Sequence, residues 1–297
     1  MATLKDIEIK IGAVKKTKQI TKAMNMVAAS KLRGAQRDMD GFRPYVEKFN
    51  EVLGRLAEKS SEESSPLLLP KEKVKKINIV LFTSDRGLCG GFNSNLINRA
   101  ITFINEKGED NIEFSFTNFG KKGRDWCRNK KKIMDDEYIG VVASKFDFPI
   151  ASIAGSKIIN AFIEDNKYDE VYIIYSKFVN IAKQEPVLKQ LLPIPPLEMK
   201  EEVVDESKPF LAEHICEPSV DAILGDMLPK SIFVQIYSAL LETSTSEHGA
   251  RMSAMDNATK ACSDMVDNLT LTYNKVRQAA ITADLMDIVG GAEALKG

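Results

Sequence analysis

The sequence predicts a mixed α/β protein in which two very long terminal helices, built to pair as a coiled coil, enclose an inserted α/β domain. Three observations lead there. Both ends carry apolar residues at alternating three- and four-residue steps. The middle changes to short apolar runs that alternate with helical stretches. Segments rich in Ser, Glu, Lys or Pro separate the parts.

From Thr3 to Arg43 there is no proline, and Leu4, Ile7, Ile11, Val14, then Ala28, Leu32, Ala35, Met39 and Phe42 keep the three-four rhythm. In between, that register meets Lys18, Thr21 and Asn25, while the apolar set moves to Ile20, Ala23, Met24 and Val27. Such drift is expected when a 3.6-residue helix runs beneath a 3.5-residue pattern, so the seam is expected to be imperfect there. At the other end Met255, Ala258, Cys262, Met265, Leu269, Thr272, Val276, Ala279, Ala283 and Met286 hold the alternation. A helix from Ser231 to Val289 would be ~90 Å long and the N-terminal one ~60 Å, lengths that need a helical partner. Small seam residues imply a thin rod that buries little area per layer. Pro229 is expected at the first turn of the long helix, and Thr243-Ser-Thr-Ser246 is expected to be a soft point within it.

Between the rods, Lys59–Lys76 reads as a linker, and a separate domain begins near Ile77. Ile77–Thr83, Glu113–Phe119 and Glu170–Tyr175 are expected strands, with helices at Ser94–Glu106 and Pro149–Asp165. Gln184–Pro229, rich in proline, reads as an irregular return path. The division is therefore 1–58 for the first rod helix, 59–76 for the linker, 77–210 for the α/β domain, 211–230 for the return and 231–297 for the second rod helix.

Composition narrows the function. At 297 residues, with 28% charged, 44% hydrophobic and a net charge of −1, the chain suits a folded, soluble protein. No apolar run approaches the ~18–20 residues that cross a bilayer, and no signal or transit segment is recognisable, so the chain is expected to start at Met1 and remain in the cytoplasm. Cys89, Cys127, Cys216 and Cys262 form no C-x-x-C pair, and the histidines are His214 and His248 alone. A metal site and a Cys/His nucleophile couple are therefore disfavoured, and no cofactor is expected.

Three stretches could carry function. Thr83-Ser-Asp-Arg-Gly-Leu-Cys-Gly-Gly-Phe-Asn93 follows an expected strand and precedes a helix, where phosphate-binding loops lie. Its glycines, Gly87, Gly90 and Gly91, fit neither G-x-G-x-x-G nor the lysine-ended phosphate loop. Asp85, Arg86 and those glycines are instead expected to form a tight structural turn, with Asn93 or Ser94 capping the helix. Next, Ile9 to Arg37 holds Lys10, Lys15, Lys16, Lys18, Lys22, Lys31, Arg33 and Arg37 and no acidic residue. No aromatic residue interrupts this stripe, which favours an acidic protein partner over nucleic acid. Finally, Ile281–Leu295 stays apolar beyond the reach of the shorter helix, as a tip inserted into a sleeve of other chains would. A nucleotide-binding α/β enzyme and a basic coiled-coil adaptor are the alternative readings.

Ile20-Thr-Lys-Ala-Met-Asn-Met-Val-Ala-Ala-Ser-Lys-Leu-Arg33, Ser84–Asn93, Ala250–Thr259, Leu271–Thr282 and Ile288–Leu295 together resemble, in order, the signatures of the gamma subunits of rotary (F-type) ATP synthases. The resemblance spans the chain. It implies an antiparallel coiled coil with an inserted Rossmann-like domain, and a shaft without a catalytic site. The implied partners are the alpha and beta subunits of a catalytic head, an epsilon subunit and a membrane ring of c subunits, at the cytoplasmic face of a bacterial inner membrane. The implied role is to couple rotation of a proton- or sodium-driven ring to conformational change at the beta sites. Lys22, Met24, Arg251, Gln278 and Thr282 are its implied coupling contacts, and an acidic segment of beta would face the basic stripe.

Overall fold

The computed structural model describes residues 3–58, 65–71, 73–107, 112–142, 146–165, 167–195, 217 and 219–294. The expected linker falls partly outside them, as do His214 and Cys216. Helix α1 runs Leu4–Glu58, straight through Pro44. After it come strand β1 Lys76–Phe82, helix α2 Phe92–Lys107, strand β2 Glu113–Phe119, helix α3 Lys121–Asn129 and strand β3 Ile133–Tyr138. Helix α4 Pro149–Ile163, strands β4 Glu170–Phe178 and β5 Gln184–Leu192, and helix α5 Val220–Ala294 complete the order. Internal contacts group the chain into two compact units, one of Ser30–Ala250 and the other of Met1–Ala29 with Arg251–Gly297.

Within Ser30–Ala250 the sheet order is β3-β2-β1-β4-β5. The first four strands pair in parallel and β5 runs antiparallel to β4. This is the doubly wound, Rossmann-like order, with its switch point between β1 and β4. The apolar run of β1 is continuous because both faces are covered. Alternation sends Ile77, Ile79 and Leu81 to one core, with Leu96, Ala100 and Phe103 of α2 and Cys127 of α3. It sends Val80 and Phe82 to the other, where Phe82 stacks on Phe119 at 4.6 Å and the rings meet Ala154 and Ile158 of α4.

That second face also takes Leu53 and Leu56 of α1 and Leu224, Leu228, Ile232, Ile236 and Leu240 of α5. The long helices thus supply a layer of the α/β domain. At Gly155 of α4, an added Cβ would lie 2.4 Å from Cδ1 of Phe233, so the ring of α5 occupies the space of the missing side chain. Tyr237 is ringed by Phe42, Phe146 and Phe148, at 4.8, 6.0 and 5.4 Å between centroids.

Three expectations need correction here. The segment Gln184–Pro229 is not wholly irregular. Gln184–Leu192 forms edge strand β5, which tolerates Pro186 because an edge strand can spare a donor. Helix α5 begins at Val220, so Pro229 lies inside the helix, where burial of Leu228 and Ile232 offsets the lost backbone hydrogen bond. The Thr243–Ser246 run is not a soft surface point. Thr243, Thr245 and Ser246 are fully buried, and Ser246 Oγ donates to the Ser176 carbonyl at 3.0 Å, so tertiary packing overrides their weak propensity. Helix α3 and strand β3 had no sequence expectation at all. The strand Ile133-Met-Asp-Asp-Glu-Tyr138 is a partly covered acidic edge with no apolar alternation to read.

Candidate functional site

The first candidate is the loop after β1, at the switch point where doubly wound folds hold phosphates. Here the turn closes on itself. Asp85 Oδ1 accepts the backbone N–H groups of Lys121, at the start of α3, and of Gly140, at 3.1 and 2.9 Å. A carboxylate of the chain thereby occupies the kind of donor pair that would otherwise face an anion. Asn93 Oδ1 accepts the Ser84 backbone N–H at 2.9 Å and Asn93 Nδ2 donates to Cys89 Sγ at 3.2 Å. Asn93 therefore clamps the loop rather than capping α2, which already starts at Phe92.

Of the predicted loop glycines, only Gly90 takes a left-handed backbone, at φ 58°, and Leu88, two residues earlier, shares that conformation at 65°. Gly87 and Gly91 have room for a side chain. The glycine that the fold cannot replace is Gly120, which the sequence reading missed. Its φ is 95°, and an added Cβ would lie 2.1 Å from the Thr83 carbonyl oxygen. Cys89 is buried against Asn93 and Ser84, and burial pushes the Cys127 thiol up to about 11, so Cys127 is not a ready thiolate.

The second candidate is the helical pair. Within the unit of Met1–Ala29 and Arg251–Gly297, Thr21 and Thr259 share a hydroxyl hydrogen bond at 2.8 Å, and Asn25 Nδ2 donates to the Met252 carbonyl at 2.8 Å. Rising numbers on α1 meet falling numbers on α5, so the pair is antiparallel. Burial on α1 recurs at Leu4, Ile7, Ile11, Val14, Lys18, Thr21, Asn25 and Ala28 without interruption. The expected mid-helix drift does not occur. Ile20 and Val27 are 59% and 58% exposed, because cross-helix hydrogen bonds hold the polar positions inside.

On α5 the expected Met255, Ala258, Cys262, Leu269 and Val276 are at least partly covered, but Met265, Thr272, Ala279, Ala283 and Met286 are exposed. Thr259, Val266, Tyr273 and Ala280 take the covered places. Only the partner's position could have told these neighbouring stripes apart.

Of the coupling residues implied by resemblance, Lys22, Gln278 and Thr282 are exposed, while Met24 and Arg251 are partly covered. Thr282 Oγ1 donates to the Gln278 carbonyl at 2.9 Å, which places these two on one face of α5. The basic stripe is exposed at Lys10, Lys15, Lys16, Lys22, Lys31, Arg33 and Arg37, whereas Lys18 lies half-buried in the seam. No group of three or more potential ligands gathers as a metal site among the described residues, and no described helix is long and apolar enough to cross a membrane.

A long antiparallel helical pair, with a doubly wound domain inserted between its two helices in the chain, defines a stalk-type protein. Comparison agrees with that class. The family model described as ATP synthase matches residues 3–295. The ATP synthase gamma chain of Desulfosudis oleivorans is 63% identical over 302 residues, covering 100% of each chain. That of Desulforapulum autotrophicum is 62% identical over 299 residues, covering 99% of this chain and 100% of the other.

Among solved structures, the central stalk and c-ring assembly of Tetrahymena thermophila mitochondrial ATP synthase has a similar chain, with a TM-score of 0.58 and 25% identity over 80% of this chain and 99% of that one. A chain of the Euglena gracilis mitochondrial ATP synthase rotor shares the fold at a TM-score of 0.66 and 20% identity, over 94% of this chain and 98% of that one. The chain belongs to the ATP synthase gamma chain family, the non-catalytic central-stalk subunits of F-type ATP synthases.

Proposed function

We propose that the chain transmits torque by turning its terminal helices, 1–58 and 231–297, inside a sleeve of alternating alpha and beta subunits, while its α/β domain, 77–210, engages an epsilon subunit and a ring of c subunits. The assembly would lie at the cytoplasmic face of a bacterial inner membrane. An asymmetric shaft presents different side chains to each beta site as it turns. The affinity of each site for ADP, phosphate and ATP then follows the contacts made in that orientation. In this reading Lys22, Met24, Arg251, Gln278 and Thr282 are coupling contacts. The exposed cations of α1 face an acidic segment of beta through a screened attraction that permits sliding. The Asp85–Gly91 loop is structural.

One observation supports this most strongly. Leu285, Met286, Ile288 and Val289 are 56%, 68%, 69% and 59% exposed on consecutive turns of α5. Counting outward from the pairing of Thr21 with Thr259, α1 ends well before this stretch begins. Four large apolar side chains on an otherwise uncovered helix end call for an apolar surround. The test is to co-express the chain with alpha and beta subunits and compare the ATPase activity of the purified assembly with that of one whose shaft ends after Asn268. A stoichiometric assembly whose activity or coupling changes on truncation supports the reading. Failure to assemble, with nucleotide turnover by the lone chain, overturns it.

A further inference from the structure

The helical pair carries an ambiguity that its apolar residues do not resolve. Each helix has two overlapping apolar stripes. On α1 the covered stripe competes with Ile9, Ala13, Ile20, Ala23 and Val27, which repeat at the same rhythm and lie exposed. On α5 the covered Val266, Tyr273 and Ala280 compete with exposed Met265, Thr272 and Ala279, one residue away. Area burial is non-directional and does not separate such alternatives. By hydrophobicity alone, the middle of α1 would turn Ile20, Ala23 and Val27 inward.

We infer that Thr21, Asn25 and Thr259 are positioning residues that fix the rotational setting and register of α1 against α5, and so define which side chains of the shaft face outward. The hydrogen bonding is closed. Thr21 Oγ1 lies 3.1 Å from the Lys18 carbonyl and Thr259 Oγ1 lies 2.7 Å from the Met255 carbonyl. One hydroxyl therefore donates across the pair at 2.8 Å while the other donates back to its own helix. Asn25 Nδ2 adds a second cross-helix bond, to the Met252 carbonyl.

Turning α1 to its alternative stripe breaks both cross-helix links and puts no other bond across the pair in their place. A single polar seam residue specifying the pairing of coiled-coil helices is the best-attested use of buried polarity. The assignment goes beyond the coupling contacts proposed above and does not depend on them. It concerns only how this pair is set.

The native Cys262 provides the test. Counting three residues from the Thr21–Thr259 pair in each direction places Lys18 opposite Cys262, while Ile20 lies about 200° around α1 from Lys18. In the full-length chain under mild diamide oxidation, Lys18→Cys is expected to cross-link to Cys262 at least ~10-fold faster than Ile20→Cys, the ratio set by the two cross-helix hydrogen bonds that the alternative setting forgoes. With Thr21→Ala, Asn25→Ala and Thr259→Ala together, the preference is expected to fall to within about threefold, because the cross-helix hydrogen bonds are gone and no apolar bulk is added to the covered stripe. With Thr21→Ser and Thr259→Ser, which keep the hydroxyls, it is expected to persist.

Peptide mapping identifies the bonded cysteines and far-UV circular dichroism verifies the helices. Asn25→Ala alone serves should the triple variant fold poorly, with a partial loss of preference expected. An alanine variant that keeps the full preference overturns the inference. So does a serine variant that loses as much as the alanine one, since packing rather than hydrogen bonding would then set the pair.

Discussion

Replacing Gly120 by alanine is expected to destabilise the α/β domain far more than any other small substitution near the switch point. Two costs add at this site. A non-glycine residue at φ 95° carries a strain of about 1–3 kcal/mol. The new Cβ would also lie 2.1 Å from the Thr83 carbonyl oxygen and 2.7 Å from its carbon. Backbone must move to relieve that contact. Yet Thr83 is anchored by its N–H to the Phe119 carbonyl at 2.8 Å, and Gly120 by its N–H to the Tyr138 carbonyl at 2.9 Å. Overpacking of this kind costs about 1–3 kcal/mol, giving roughly 4 kcal/mol in all. For a unit of this size that corresponds to a fall in Tm of about 8–16 °C.

Gly140 supplies the control, since its φ is 81° but nothing lies within 4 Å of an added Cβ. Gly140→Ala is expected to show the strain alone, about half the loss of Gly120→Ala. Thermal unfolding of the two variants and the parent, followed by far-UV circular dichroism, measures both. Equal losses, or a Gly120→Ala midpoint within about 2 °C of the parent, would refute the steric argument.

Asp85→Ala removes the acceptor of the Lys121 and Gly140 backbone N–H groups and is expected to cost about 1–3 kcal/mol in urea unfolding, with Asp85→Asn milder because one oxygen remains. Isothermal titration of the lone chain with ATP or ADP is expected to show no saturable heat, and Asp85→Ala is not expected to create any.

Burial works against ionisation of Asp169. Even so, hydrogen bonds from the Lys75 and Lys76 backbone and the nearby Lys71 ammonium hold its carboxyl below the ordinary carboxylate value. Its folded pKa is depressed, so its contribution is complete above about pH 4 and is lost as pH falls through the folded value. Asp169→Asn is expected to flatten the acid limb of a stability–pH curve, and an unchanged acid limb would count against this role. Gly155→Val, which drives a larger group into the ring of Phe233, is expected to lower Tm by several degrees, with Phe233→Ala in the same chain restoring part of it.

Much of the fold could be read because periodicity reports burial. Strand β2 matches the expected Glu113–Phe119, and β1, β4, α2 and α4 differ from expectation only at their ends. The reading failed where burial was set by a partner rather than by composition. Lys18, Thr21 and Asn25 looked like an interruption because the cross-helix bonds of Thr21 and Asn25 cannot be seen in one strand of text. Thr243–Ser246 looked soft because weak helix formers give no sign that β4 lies beside them. Gly120 was missed because its constraint comes from Thr83, 37 positions earlier in the numbering, on the neighbouring strand end. The glycine spacing of the Asp85–Gly91 loop suggests a structural turn, but it gives no sign of the bonds that Asp85 and Asn93 make to α3 and to the loop itself.

The fit of Phe233 into the notch at Gly155 bears on how a helix can deliver rotation at all. A cylinder held only by a greasy stripe can roll in its groove, because successive side chains offer much the same contact every third or fourth residue. A ring seated where its neighbour has no side chain works as a key in a keyway. It resists turning about the helix axis in either sense, while bending along the helix still costs little. Torque applied to the sheet would therefore pass into α5 as twist at Phe233 rather than being lost as slip, and that one aromatic side chain would carry a disproportionate share of the load.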